Sequence, residues 1–158
     1  MTLELLAPAK NIECGLAAID HGADAVYIGA QRFGARASAG NSIDDIRQLC
    51  TYAHRFAAKV YVTINTIIYE DELPKIKRLL LDLAAIDVDA VLVQDMGIVK
   101  LYFELTEKYP EIKLPALHAS TQTDNRTPEK VAWLQSLGVE RAVLARELSA
   151  EEIADIRR

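Results

Sequence analysis

The chain has 158 residues, 51% of them hydrophobic and 26% charged, with a formal net charge of −5. This is enough apolar material for the core of one domain or of a piece of a larger one, and the acidic balance argues against a broad basic face for a polyanion. No apolar run approaches the roughly 18 residues of a membrane span, and MTLELLAPAKN lacks the basic start and long apolar stretch of a signal peptide, so a cytoplasmic protein with no membrane partner is expected.

The first apolar run, LELLAP at 3–8, predicts a strand, and Ile12, Leu16 and Ile19 form the stripe of a following helix. AVYIG at 25–29 predicts a second strand, which runs into the loop AQRFGARASAGN at 30–41. That loop sets Arg32 and Arg36 among Gly34, Ala35, Ala37, Ser38, Ala39, Gly40 and Asn41. Small residues let a ligand approach the backbone, and arginine offers a planar fork of donors for carboxylate or phosphate; a plain surface turn is the other reading. Ser42 with Asp45 resembles a capping box, and Ile43, Ile46, Cys50, Ala53 and Ala57 share one face of the helix it opens.

KVYVTIN at 59–65, AVLVQD at 90–95, LPALHAS at 114–120 and RAVLARE at 141–147 predict four more strands. Between them lie helical stripes such as Leu73, Ile76, Leu80 and Leu83, or Ile98, Leu101, Tyr102, Leu105 and Tyr109. Thr127-Pro128 gives an N-cap followed by proline at the first helical position, and Ser149 with Glu152 a further capping box. Gly22 and Gly138 suit left-handed helix ends, and Asp87 takes the equivalent place. Trp133 lies with Leu137 at helical spacing and reads as packing; His21 and His54 read as residues near helix ends.

Strand starts run from about residue 3 to about 142 over five intervals, about 28 residues each, the length of a βα unit. The rhythm fits a (β/α)8 barrel or an open doubly wound sheet, and LLAPAKN stands where a dinucleotide fold would carry its glycine fingerprint. The expected fold is α/β, a partial TIM-like barrel of about six βα units, and residues 1–158 are expected to be a single domain, the N-terminal portion of a larger barrel.

In both architectures ligands gather at the C-terminal ends of the strands, where this sequence places Asn65, Gln94-Asp95, His118, Ser120, Gln122 and Arg146-Glu147. His118 is a candidate acid/base or metal-ligating group with Asp95 or Glu147 as partner, and equally a hydrogen-bonded packing residue. Asp95 suits a helix cap as well as a site, Arg146-Glu147 an internal ion pair as well as an anion grip, and Asn65 a turn as well as a substrate edge. Cys50 falls on the core face of its helix and Cys14 reads as a small helix residue, so two cysteines make neither a disulfide framework nor a cysteine-pair metal site. No zinc-protease, nucleophile-elbow or P-loop signature is present.

ELLAPA at 4–9, GADAVYIGA at 22–30, RFGARASAGN at 32–41, VYVTINT at 60–66, VDAVLVQDMG at 88–97, LHASTQ at 117–122 and VERAVLARELS at 139–149 together resemble the N-terminal part of peptidase family U32, the collagenase-like proteases. The family name implies a hydrolase, while several members perform oxygen-independent hydroxylation of transfer RNA, ribosomal RNA or a quinone precursor with a four-iron four-sulfur cluster. The resemblance implies a barrel-mouth set of Arg36, Ser38, Asn41, Asn65, Gln94, Asp95, His118, Ser120, Gln122, Arg146 and Glu147, with His118, Asp95 and Glu147 as catalytic candidates. It implies no cluster ligand among these residues, since Cys14 and Cys50 do not match the family's clustered cysteines, so any cluster belongs to the full-length parent. Three activities follow as expectations: an RNA-base hydroxylase, a metal-assisted peptidase acting on a peptide, or a binding module without catalysis. Self-association through open barrel edges is expected of the isolated piece.

Overall fold

The computed structural model describes residues 3–31, 33 and 40–158. Six strands, β1 (Leu6–Ala9), β2 (Ala25–Gly29), β3 (Lys59–Ile64), β4 (Ala90–Val93), β5 (Ala116–Ala119) and β6 (Arg141–Ala142), pair in parallel in the order of the chain. Helices α1 (Ile12–Asp20), α2 (Ile43–His54), α3 (Leu73–Ala84), α4 (Met96–Lys108) and α5 (Pro128–Ser136) make the crossovers, and α6 (Ala150–Ile156) follows β6. A doubly wound sheet reverses its strand order at a switch point, and this one never does. The result is a half-barrel of TIM type.

Alternation along each strand divides two apolar layers. Val26 and Ile28, Val60, Val62 and Ile64, Val91 and Val93, and Leu117 and Ala119 are at most 1% exposed and face the helices, where they join Ile46, Leu49, Ile76, Leu80, Leu83 and Ile98 in the main core. Burying each Val, Leu or Ile side chain among them contributes about 1.5–3 kcal/mol relative to leaving it in water. The opposite strand face carries a smaller apolar cluster of Ala25, Tyr61, Ala90 and Leu92, with Leu6, Tyr27, Ala116 and Val143 against it. This inner face lines the half-barrel and supplies every candidate side chain described below that projects from a strand.

The helix ends predicted at Gly22, Asp87 and Gly138 hold, and the same device ends α2 early, at His54, so that Ala57 lies in the turn beyond the helix and not on the helix face where the sequence placed it. Gly22, Ala57, Asp87 and Gly138 all adopt positive φ, at 92°, 56°, 56° and 84°. In each case the next residue's N–H closes back on the last helical turn, as Ala23 to Ala18 O, Ala58 to Ala53 O, Val88 to Leu83 O and Val139 to Leu134 O. Two residues after Gly22 and Asp87, an aspartate then clamps the preceding strand: Asp24 Oδ2 accepts from Leu5 N at 2.7 Å, and Asp89 Oδ2 from Val60 N at 2.8 Å. Both capping boxes read from the sequence are present, at Ser42/Asp45 and Ser149/Glu152.

The last strand is shorter than RAVLARE suggests. After Ala142 the chain leaves the sheet, because the Val143 carbonyl is taken by the Asn125 side chain and the Ala145 N–H by the Asn125 carbonyl. Among the described residues no helix is long and apolar enough to cross a membrane.

Candidate functional site

A cavity of about 630 Å³ opens at the C-terminal ends of the strands, with Pro8, Tyr27, Thr63, Asn65, Ser120, Gln122, Val143 and Arg146 in its wall. Its size falls within the usual range of small-molecule sites. Asn65 follows β3 and Ser120 follows β5, and the Asn65 amide Nδ2 donates to Ser120 Oγ at 3.3 Å across the intervening end of β4. Ser120 is 3% exposed; its N–H donates to Val93 O at 2.8 Å, and its hydroxyl accepts from Gln122 N, opening a single 3-10 turn over Thr121–Thr123. That turn presents Gln122 to the cavity, while Arg146 and Lys10 stand exposed at the rim.

Beneath this rim sits a polar knot that sequence reasoning missed. Asn125 is fully buried, and its Nδ2 donates to Ser120 O at 2.9 Å and to Val143 O at 2.8 Å. Its Oδ1 lies 2.6 Å from the Thr123 hydroxyl. One side chain therefore ties the end of β5 to the turn after β6, and so holds Ser120 and Arg146 on one rim. The pattern Ser-x-x-Thr-x-Asn, directly after a predicted strand, was the available signal.

The remaining predicted site residues lie elsewhere or serve the scaffold. Asn41 is buried, and its Nδ2 donates to Gly29 O at 2.9 Å and Lys10 O at 3.2 Å, joining the turns after β1 and β2. Asp95 caps α4 through Gly97 N at 2.7 Å and holds Ile68 N at 3.0 Å, so both carboxylate oxygens serve the backbone. Gln94 is half-buried after β4 and outside the cavity wall. Glu147 is exposed, 3.9 Å from Arg126, and also outside that wall. Arg36 and Ser38, with Arg32 and most of the loop around them, fall outside the described residues.

His118 points inward from β5 two residues before Ser120, which places it below the upper cavity. It lines a second cavity of about 610 Å³ at the N-terminal ends of the strands, with neither Asp95 nor Glu147 in that wall. The three catalytic candidates are thus not brought together. His118 packs edge-on to Tyr61, with ring centroids 5.0 Å apart. Above the usual carboxylate–guanidinium pairing stands a third group: Arg141 forks onto both oxygens of Glu4, and the Tyr61 hydroxyl donates to Glu4 Oε2 at 2.9 Å. The Arg141 hydrogen bond holds the Glu4 carboxyl below its ordinary range. Burial, with Glu4 opposite, pushes the Tyr61 phenol up to about 12. Burial, then the positive charges of Arg141 and Lys59, drive His118 down to about 4, so it is neutral at pH 7.

Neither thiol is placed to ligate the iron–sulfur cluster that the family resemblance implies. Cys14 is exposed in the upper wall, whereas Cys50 is buried on the core face of α2 with its thiol pushed up to about 12, chiefly by burial. Two thiols so placed do not make a cluster site, and among the described residues no group of three His, Cys, Asp or Glu side chains is placed to hold a metal ion.

The profile of Peptidase family U32 matches residues 10–158. The chain belongs to peptidase family U32. It is 50% identical over 154 residues to the 23S rRNA 5-hydroxycytidine C2501 synthase of Escherichia coli, an alignment that takes in 98% of this chain and 22% of that protein. It is 34% identical over 155 residues to the tRNA hydroxylation protein P1 of Bacillus subtilis, covering 98% of this chain and 35% of the relative. The U32 chain thus spans between about a fifth and about a third of the length of these two relatives. A solved structure of a U32 peptidase superimposes with a TM-score of 0.73 at 18% identity, over 99% of this chain and 66% of that one, which supports the barrel fold.

Proposed function

We propose that residues 1–158 form the N-terminal part of a U32-type barrel whose full-length protein hydroxylates an RNA base, with the upper cavity as the base-binding wall. The observation that carries this reading is the 50% identity, over nearly the whole chain, to an enzyme named for making 5-hydroxycytidine in ribosomal RNA. The cavity chemistry fits it. A base leaving its stack needs a pocket with amide edges to read its hydrogen-bonding side and an apolar face to lie on. Asn65 and Gln122 are amides that both donate and accept, Ser120 adds a hydroxyl, and Tyr27, Leu92 and Val143 give apolar wall. Arg146 and Lys10 at the rim suit the flanking phosphates, with the fork of Arg146 able to hold two oxygens at once.

In this reading the chain binds and orients the base and excludes water from it. A four-iron four-sulfur cluster would supply redox chemistry, and its cysteines would come from residues other than Cys14 and Cys50. The outer edges of β1 and β6 are where further strands of the barrel, or a second copy, would pair.

The test is a deletion of the full-length gene followed by mass spectrometry of digested ribosomal and transfer RNA. Loss of one hydroxylated nucleoside, restored by the wild-type gene and restored poorly by Gln122→Ala or Arg146→Ala, is the expected result. A nucleoside profile unchanged by the deletion refutes the proposal.

A further inference from the structure

On the wall of the upper cavity, the Ser120 hydroxyl has its polarity fixed by its neighbours. The backbone that carries it is pinned. Ser120 N donates to Val93 O at 2.8 Å, and the Ser120 carbonyl accepts from Thr123 N at 3.0 Å, the Thr123 hydroxyl at 2.7 Å and Asn125 Nδ2 at 2.9 Å. A serine hydroxyl can accept two hydrogen bonds and donate one. Both accepted bonds are present, from Asn65 Nδ2 and from Gln122 N, each at 3.3 Å. No acceptor among the described residues takes the Ser120 proton. The accepted bonds occupy the directions toward the end of β3 and toward the turn after β5, and the place of Ser120 in the wall leaves the third direction to the cavity. At 3% exposure, this O–H is a buried donor aimed at whatever enters.

The charges of the wall agree with it. Lys10 and Arg146 line the cavity, and among the described residues no carboxylate does, so the wall side chains of fixed polarity are all donors. Such a wall suits a ligand edge that accepts. On the RNA-base reading above, on which this step rests, a hydroxyl that can only donate has nothing to offer an exocyclic amino group. The C2 carbonyl oxygen is the acceptor that cytosine and uracil carry in the same place. C2 and C5 stand opposite one another across a pyrimidine ring, so a grip on the C2 oxygen leaves C5 facing away from Ser120. C5 is the carbon hydroxylated in the 5-hydroxycytidine for which the rRNA relative is named.

We infer that Ser120 is a specificity-determining residue of the upper cavity, donating to the C2 carbonyl oxygen of a pyrimidine base and so turning C5 toward the open side. Fluorescence anisotropy of the full-length protein with short single-stranded RNAs tests it, the probes carrying one cytidine or one 2-thiocytidine among adenosines. Sulfur at C2 is a poor acceptor, so the wild type should bind the 2-thiocytidine RNA about two- to tenfold more weakly, the loss of one net hydrogen bond. Ser120→Ala, and the nearly isosteric but poorly donating Ser120→Cys, should weaken the cytidine RNA by a similar factor and bind the two RNAs alike. Structural damage from losing the Asn65 and Gln122 contacts would instead lower both affinities and preserve their ratio. A ratio unchanged in these variants overturns the inference and leaves the RNA-base reading standing, as does a wild type that binds the two RNAs equally. Absence of binding to either RNA also overturns it, while the nucleoside profile of the deletion strain reports on the reaction independently.

Discussion

Replacing Asn125 by alanine is the sharpest test of how the upper rim is held. The substitution deletes two donated hydrogen bonds, to Ser120 O at 2.9 Å and Val143 O at 2.8 Å, at a site with no solvent exposure. Ser120 O keeps the Thr123 hydroxyl at 2.7 Å, whereas Val143 O loses the side-chain partner shown here. Two hydrogen bonds at about 0.5–1.5 kcal/mol each, with about 1–3 kcal/mol for a stranded buried acceptor, give a loss of about 2–4 kcal/mol after allowing for overlap. At a urea dependence of about 2 kcal/mol per molar, the unfolding midpoint should fall by about 1–2 M with an unchanged slope. Asn125→Asp should be worse at neutral pH, since it turns a carboxylate oxygen toward two carbonyl oxygens, and should recover in acid as protonation returns one donor. Equilibrium urea unfolding followed by circular dichroism reads both variants. A loss in Asn125→Ala within about 0.5 kcal/mol of zero, the range of ordinary surface changes, would refute the claim that this side chain joins β5 to β6.

Gly22→Ala and Gly138→Ala share the left-handed backbone cost of about 1 kcal/mol, but a Cβ at Gly22 meets open space while one at Gly138 meets Phe103 Cζ at 2.8 Å. Thermal unfolding should therefore show Gly138→Ala as the less stable of the two, and equal midpoints would contradict the packing at that helix end. His118 ordinarily takes a proton near 6.5 and in the folded chain only near 4, so the stability from its burial is intact above about 6.5 and is lost as the pH falls toward 4. Unfolding midpoints measured across that window should decline more steeply in the wild type than in His118→Phe; matching slopes would mean the imidazole is not buried neutral. A thiol reagent at pH 8 should modify exposed Cys14 and spare Cys50 until denaturant is added, and two reactive thiols in the native protein would remove Cys50 from the core.

The fold was legible because each strand announces itself twice, once as an apolar run and once by the punctuation before it. The repeated helix ends at Gly22, Asp87 and Gly138 are written in the sequence; Ala57 is not, since alanine gives no sign that its φ is 56°. The site was legible only as far as strand periodicity reaches. Counting to the ends of β3 and β5 finds Asn65, Ser120 and Gln122, but it also collects Asp95, whose carboxylate the α4 N-terminus and Ile68 N claim for the backbone. His118 shows why the last step needs three dimensions. Its side chain faces the same way as that of Ser120, yet one pleat of a parallel strand, two residues or about 6.6 Å, is enough to move it from one cavity to the other. The ring it packs against, Tyr61, is in turn held by Glu4 and Arg141, which stand 137 residues apart and meet only because β1 and β6 curve toward each other across the half-barrel. No local pattern links an acidic residue ahead of the first strand to a basic one at the start of the sixth. Periodicity fixes which face a side chain takes, whereas the curvature of the sheet decides which opposing strand that face meets.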